Sequence, residues 1–207
     1  LEGQSILDGL AAKGIDPATA RVIYGQGDPS DGNAKMFYDG AVAVLSAAGI
    51  KPIFEMAGTW DGAKAGTLFE QAYTAVQGKV DAVLAPNDNN AANIITILDK
   101  NKKTVPVSGQ DASVAGLQNV LLGKQTATVY KPFTVEAKVA ADLAIKLLKG
   151  ETVSAPKKLA DGTPFFASKP ILIKAKDVKT VVAAGDAKVA TLCVGAVKAA
   201  CAKYGVK

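Results

Sequence analysis

The sequence predicts an α/β fold, an open parallel sheet with helices on both faces. Three observations carry that reading. Short apolar runs alternate with amphipathic segments along most of the chain. Runs such as VIY and AVLA are apolar without interruption, as strands covered on both sides require. Gly, Pro, Asn and Asp separate the segments, marking turns and helix ends.

The elements follow in order. Residues 1–13 read as the end of a helix stopped by Gly14. Strand 21–25 (RVIYG) leads to a helix over 32–48, and strand 51–57 (KPIFEMA) to a helix over 62–77. Strand 80–85 leads to a helix over 89–101, where Ala91, Ala92, Ile94, Ile95 and Leu98 recur at helical spacing. Strand 105–108 (VPVS) precedes a helix over 112–122, and strand 126–130 (TATVY) a helix over 132–149. Short strands alternating with helices of this length form parallel βαβ units.

Composition narrows the function. The 207 residues suit one large domain or two small ones. With 49% hydrophobic and 21% charged residues, the chain can bury a core. No apolar stretch approaches the ~20 residues that span a bilayer. The first residue is Leu1 and no signal peptide is visible, so the chain reads as a processed, truncated or recombinant piece of something longer. The net charge is +5, yet Arg21 is the only arginine among 24 basic residues. Scattered lysines lack the bidentate fork that nucleic-acid and phosphate sites favour, so no nucleic-acid partner is expected. The absence of histidine removes Ser-His and Cys-His nucleophiles and every histidine metal site, and no cofactor or metal is expected. Cys193 and Cys201 would stand ~12 Å apart in one continuous helix, beyond the ~7 Å that a disulfide tolerates. A bridge requires Cys193 to precede the helix, which Gly195 permits, and an exported protein.

The five strand exits share a polar character. They read GQGDPSDGNAK, GTWDGAK, PNDNNAA, GQDASVA and YKPF. In an open parallel sheet, ligands bind at the carboxyl ends of the strands. Five residues there stand out. Asn33 offers a donor and an acceptor, although Asn is also common in Gly-rich loops. Trp60, the only tryptophan, lies in a loop with no apolar run to bury it; it faces either a ligand or the core. Asn87 precedes Asp88, the expected cap of the next helix, which leaves its amide spare. Asp111 follows a strand exit and either meets a ligand or caps the helix from Ala112. Lys131 is held between Tyr130 and Pro132. Amides, a carboxylate, an ammonium and an indole suit a neutral polyol with one apolar face. No GxxxxGK[ST] or GxGxxG occurs, and Asp28 and Asp31 would repel phosphate from the glycine-rich loop.

DGNAKMF, VDAVLAPNDNNAA, VPVSGQDA and QTATVYKP, in that order, resemble the xylose-binding branch of the type 1 periplasmic sugar-binding proteins. The resemblance runs from Leu1 to about Val182, leaving Cys193 to Lys207 outside it. It implies the substrate-binding component of a carbohydrate ABC transporter. Such a protein captures a monosaccharide outside the cytoplasmic membrane, periplasmic or attached at the cell surface, delivers it to a membrane permease, and is no enzyme. It also implies two α/β lobes joined by a three-stranded hinge, with Asn33, Trp60, Asn87, Asp111 and Lys131 as the sugar contacts of one lobe. On this reading the N-terminal lobe is absent. Residues 1–125 form the C-terminal lobe, 126–182 belong with the hinge or the absent lobe, and 183–207 are an extension. Helix 132–149 carries Phe133, Val135, Val139, Ala140, Leu143, Leu147 and Leu148. That stripe is covered by the absent lobe, by self-association, or by the tail at 165–182. The Asn-rich PNDNNAA leaves the sugar open. The competing readings are a sugar-sensing domain of a receptor kinase or repressor, and a carbohydrate-active enzyme using Asp88 and Asp111.

Overall fold

A computed structural model describes residues 1–159 and 161–207. The helices are α1 (Glu2–Ala12), α2 (Gly32–Ala47), α3 (Gly62–Ala75), α4 (Asp88–Lys100), α5 (Val114–Leu121), α6 (Phe133–Leu148), α7 (Val178–Ala183), α8 (Val189–Leu192) and α9 (Val197–Lys203). The strands are β1 (Val22–Tyr24), β2 (Pro52–Glu55), β3 (Ala82–Leu84), β4 (Thr128–Tyr130), β5 (Lys157–Lys158), β6 (Pro164–Phe165) and β7 (Ile171–Ile173).

The central strands pair in parallel in the order β2-β1-β3. Val107 continues the sheet beside Val83 as a single parallel bridge. The predicted strand 105–108 is reduced to this bridge because Pro106 has no N–H for the ladder. Gln110 bridges to Val129 in parallel, which brings in β4, and β7 closes the edge antiparallel to β4. Residues 126–130 and 171–173, which the sequence assigns to a hinge or the absent lobe, thus hold a two-stranded sheet hydrogen-bonded to the 107–111 segment beside the central strands.

Strand alternation distributes two cores. Val22, Tyr24, Ala82 and Leu84 meet Ile6, Leu10 and Leu45 of α1 and α2. Ile23 and Val83 face the other way, against Phe69, Ile94 and Leu98 of α3 and α4. That two-sided burial is why the strands carry no polar alternation. A third core joins Leu117 and Val120 of α5 to Tyr130, Ile173, Val178, Leu192, Val197 and Val206. Cys193 follows α8 and precedes α9, and it is bridged to Cys201 with Cα atoms 5.9 Å apart.

Helix α6 stands outside these cores and buries no residue. Phe133, Val135, Ile145, Leu147 and Leu148 are exposed, Leu148 to 88%. Phe165 and Phe166 line an open groove with Val135, Val139 and Leu143, and do not cover the helix.

Candidate functional site

Four junctions where the chain enters a helix share one device. Asp31, Asp61, Asn87 and Ser113 each cap the following helix, the side-chain oxygen accepting a backbone N–H of its first turn. The caps fix the start of each helix at the exit edge of the sheet. There a cleft of about 390 Å³ is lined by Asp31, Asn33, Phe37, Trp60, Asn87, Gln110, Asp111 and Lys131. The structure therefore brings all five residues singled out from the sequence to one place. Asp31, Phe37 and Gln110 were missed. Phe37 follows Asn33 by one helical turn, so the spacing alone put it on the same face. Gln110 lies within VPVSGQDA, directly before Asp111.

The indole is held from two sides. Trp60 Nε1 donates to Asp31 Oδ2 at 3.2 Å, while Asp31 Oδ1 accepts from Asn33 N at 2.9 Å. One carboxylate thus caps α2 and orients the ring. The ring also lies against the Gly27 backbone, where a Cβ would fall 2.2 Å from Cη2. Trp60 remains half-buried and in the cleft wall, not within any of the three cores.

The polar run at 87–90 divides its labour. Asn87, not Asp88 or Asn89, caps α4: its Oδ1 accepts from Asn90 N at 2.9 Å. Its Nδ2 makes no hydrogen bond among the described residues and is free for the cleft. Asn89 Nδ2 donates to Trp60 O, and Asn90 Nδ2 to Thr59 O, so both secure the loop that carries the indole. Asp88 is 1% exposed and lies between Gly109 and Gly116, at either of which a Cβ would strike its carboxylate. It accepts from Gln125 Nε2 at 2.8 Å, Ser113 N at 2.8 Å and Thr128 Oγ1 at 3.1 Å. Burial pushes its carboxyl up to about 6, against those three hydrogen bonds, which favour the charged form.

Asp88 is a buried brace for the segment that presents Asp111. Asp111 has φ +98° and Ala112 φ +49°, both in the left-handed region. Such backbone costs about 1–3 kcal/mol per residue and persists where neighbours over-determine it. Asp111 N donates to Val129 O, Ala112 N to Thr128 Oγ1, and Ser113 N to Asp88. The alternative role for Asp111 is thereby corrected: Ser113 caps α5, and Asp111 turns towards Lys131, Oδ1 to Nζ 2.9 Å. Lys131 Nζ also stands 5.3 Å over the Phe37 ring. Half-exposed ion pairs are worth about 0.2–1 kcal/mol, so little is lost when both groups redirect to a ligand.

The cleft offers two carboxylates, an ammonium, three amides, an indole and a phenyl ring. This set can bond a ring of hydroxyls and cover an apolar face. Asp88 is outside it, so Asp88 and Asp111 are not an acid–base pair there. Among the described residues no group of three His, Cys, Asp or Glu is placed to hold a metal.

Comparison with known proteins agrees with this architecture. Residues 1–152 match the model of a family described as the periplasmic binding protein domain. The D-xylose-binding periplasmic protein of Haemophilus influenzae is 37% identical over 166 residues, 75% of this chain and 50% of its own. That of Escherichia coli is 36% identical over the same shares. The chain spans about half the length of these relatives. An ABC transporter solute-binding protein from Clostridium phytofermentans, solved with bound β-D-glucose, has a TM-score of 0.79 at 24% identity. The match covers 92% of this chain and 65% of that one, and shows a shared fold. The chain is a member of the periplasmic binding protein domain family.

Proposed function

We propose that this protein is the substrate-binding component of a carbohydrate ABC transporter, taking up xylose or a similar aldose outside the cytoplasmic membrane and handing it to a permease. The observation that carries the reading is that a braced indole, Trp60, and the Asp111–Lys131 pair line one cleft together. A sugar stacks an apolar face on the indole, and its hydroxyls donate to Asp31 and Asp111 and accept from Lys131 and Asn87. Charge-assisted bonds of this kind are about twice as strong as neutral ones. The Cys193–Cys201 bridge fits an oxidising compartment. Binding without turnover is the proposed activity: the cleft's carboxylates, ammonium and amides serve as hydrogen-bonding groups for the sugar, and Trp60 and Phe37 as its apolar walls.

The site is completed by a companion lobe that covers α6 and closes over the sugar. Residues 1–125 form the lobe of the cleft, with β4 and β7 at the joint. The apolar face of α6 and residues 150–170 belong with the companion. Titration calorimetry of the full-length protein with D-xylose, D-glucose and D-ribose tests the proposal. Saturable binding of at least one aldose, without its conversion, is expected. Absence of binding to all three, or turnover lost in Asp111→Ala, contradicts it.

A further inference from the structure

Asp186 lies outside the cleft, on the segment that follows α7. Gly185 at φ +83° turns the chain there, and Asp186 N returns to Val181 O at 3.2 Å. Its carboxylate accepts two hydroxyls. One is the phenol of Tyr130, the last residue of β4; the other is Thr134 Oγ1, in the first turn of α6, at 2.8 Å. Between those two donors lie Lys131, Pro132 and Phe133. A single carboxylate therefore clamps both ends of the joint that carries the cleft lysine. Tyr130 is 2% exposed and has no other side-chain hydrogen bond among the described residues. Burial and the Asp186 bond push its phenol up to about 12, as expected for a donor held by a carboxylate.

Asp186 is itself anchored from behind. Ala187, Leu192, Val197, Cys201 and Val206 are buried in the third core. Gln118 Nε2, on α5, donates to Leu192 O at 3.0 Å. The Cys193–Cys201 bridge ties the end of α8 to α9. This C-terminal segment is absent from the lining of the cleft, and its polar reach towards the cleft is through Asp186.

We propose that Asp186 is a positioning residue for sugar capture: it fixes the direction in which the chain leaves β4, and so where Lys131 stands against Asp111 and Phe37. Residues 184–207, stapled by the disulfide, are its support. The inference rests on the proposed sugar-binding function and adds a residue that touches no sugar.

The test uses the full-length protein, with D-xylose calorimetry and, separately, amide hydrogen exchange over residues 130–136 without sugar. Asp186→Ala should weaken binding by about tenfold, the scale of coupling between residues sharing one network, and should speed exchange at the joint. Asp186→Asn, which still accepts a hydroxyl, should recover most of both. Tyr130→Phe added to Asp186→Ala should cost little more than either alone. Replacing both Cys193 and Cys201 with Ser should move affinity and exchange in the same direction by less. Unchanged exchange and affinity in Asp186→Ala, at a temperature well below its melting point, overturn the inference. Should Asp186→Ala not fold, unchanged exchange and affinity in Tyr130→Phe combined with Thr134→Val, which removes both donors to the carboxylate, overturn it equally. If the wild type binds D-xylose and only melting temperature responds, Asp186 is structural and the transport reading survives. If the wild type binds no aldose while exchange responds as stated, the clamp stands and the transport reading fails.

Discussion

Gly27→Ala isolates the indole without removing it. A methyl group at this position would stand 2.2 Å from Cη2, 2.3 Å from Cζ2 and 2.7 Å from Cζ3 of Trp60. Ordinary contact begins at 3.4 Å, so the ring must withdraw by the difference between 3.4 and 2.2 Å. That movement is enough to break the 3.2 Å bond from Nε1 to Asp31 and to shift the stacking face. Overpacking of this kind costs about 1–3 kcal/mol of stability. Aromatic contacts contribute about 0.5–1.5 kcal/mol beyond area burial, so binding should weaken by roughly threefold to tenfold. Trp60 is the single tryptophan of residues 1–207, so the difference in emission between Gly27→Ala and the wild type reports its environment. The assay is titration with D-xylose, followed by calorimetry and by emission. Native affinity and an unshifted emission in Gly27→Ala would refute the role given to the indole.

Other outcomes follow from the same geometry. Asp111→Gly should raise stability by about 1 kcal/mol, because glycine relieves φ +98°, and yet weaken sugar binding; denaturant melts with calorimetry check both signs. A gain in stability with no loss of affinity would remove Asp111 from the site. Asp88 has a folded-state value raised from 3.8 to about 6, so its contribution favours the fold below pH 3.8 and is lost as pH rises through 6. The difference corresponds to about 3 kcal/mol, from 1.36 kcal/mol per unit. Glu2, pushed well above the usual range by burial, adds a slope of the same sign. Asp88→Asn should therefore flatten, not abolish, the fall in stability between pH 4 and 6 in denaturant titrations, and an unchanged slope would show that Asp88 does not cause it. The bare face of α6 predicts that residues 1–207 expressed alone self-associate, and that Val135→Glu with Leu148→Glu suppresses this in light scattering. A monomer of residues 1–207 that binds xylose at micromolar strength would mean that one lobe encloses the sugar unaided.

Much of the fold was legible because burial on both faces of a parallel sheet forces uninterrupted apolar runs such as Val22–Tyr24 and Ala82–Leu84. The strand at 105–108 was over-read: apolar residues flank Pro106, and the missing N–H shows only when the ladder is drawn. The strand exits located the cleft residues, since topology alone brings parallel carboxyl ends together. Roles within PNDNNAA were not legible. Asn and Asp both cap helices, and only the register at β3 decides that Asn87 caps while Asp88 turns inward to Gln125 and Thr128. Phe37 escaped because an aromatic residue on an amphipathic helix reads as core until its exposure is known. Asp186 escaped because a lone carboxylate after a helix carries no periodicity, and its partners lie 52 and 56 residues away.

The central claim is that a monosaccharide lies between Trp60 and the Asp111–Lys131 pair. A crystal structure of the full-length protein grown with D-xylose tests it most directly. The account predicts a pyranose stacked on the Trp60 indole, with hydroxyls in hydrogen-bond contact with Asp111, Lys131 and Asn87. A sugar bound elsewhere, or bound in this cleft with none of those contacts, would contradict it.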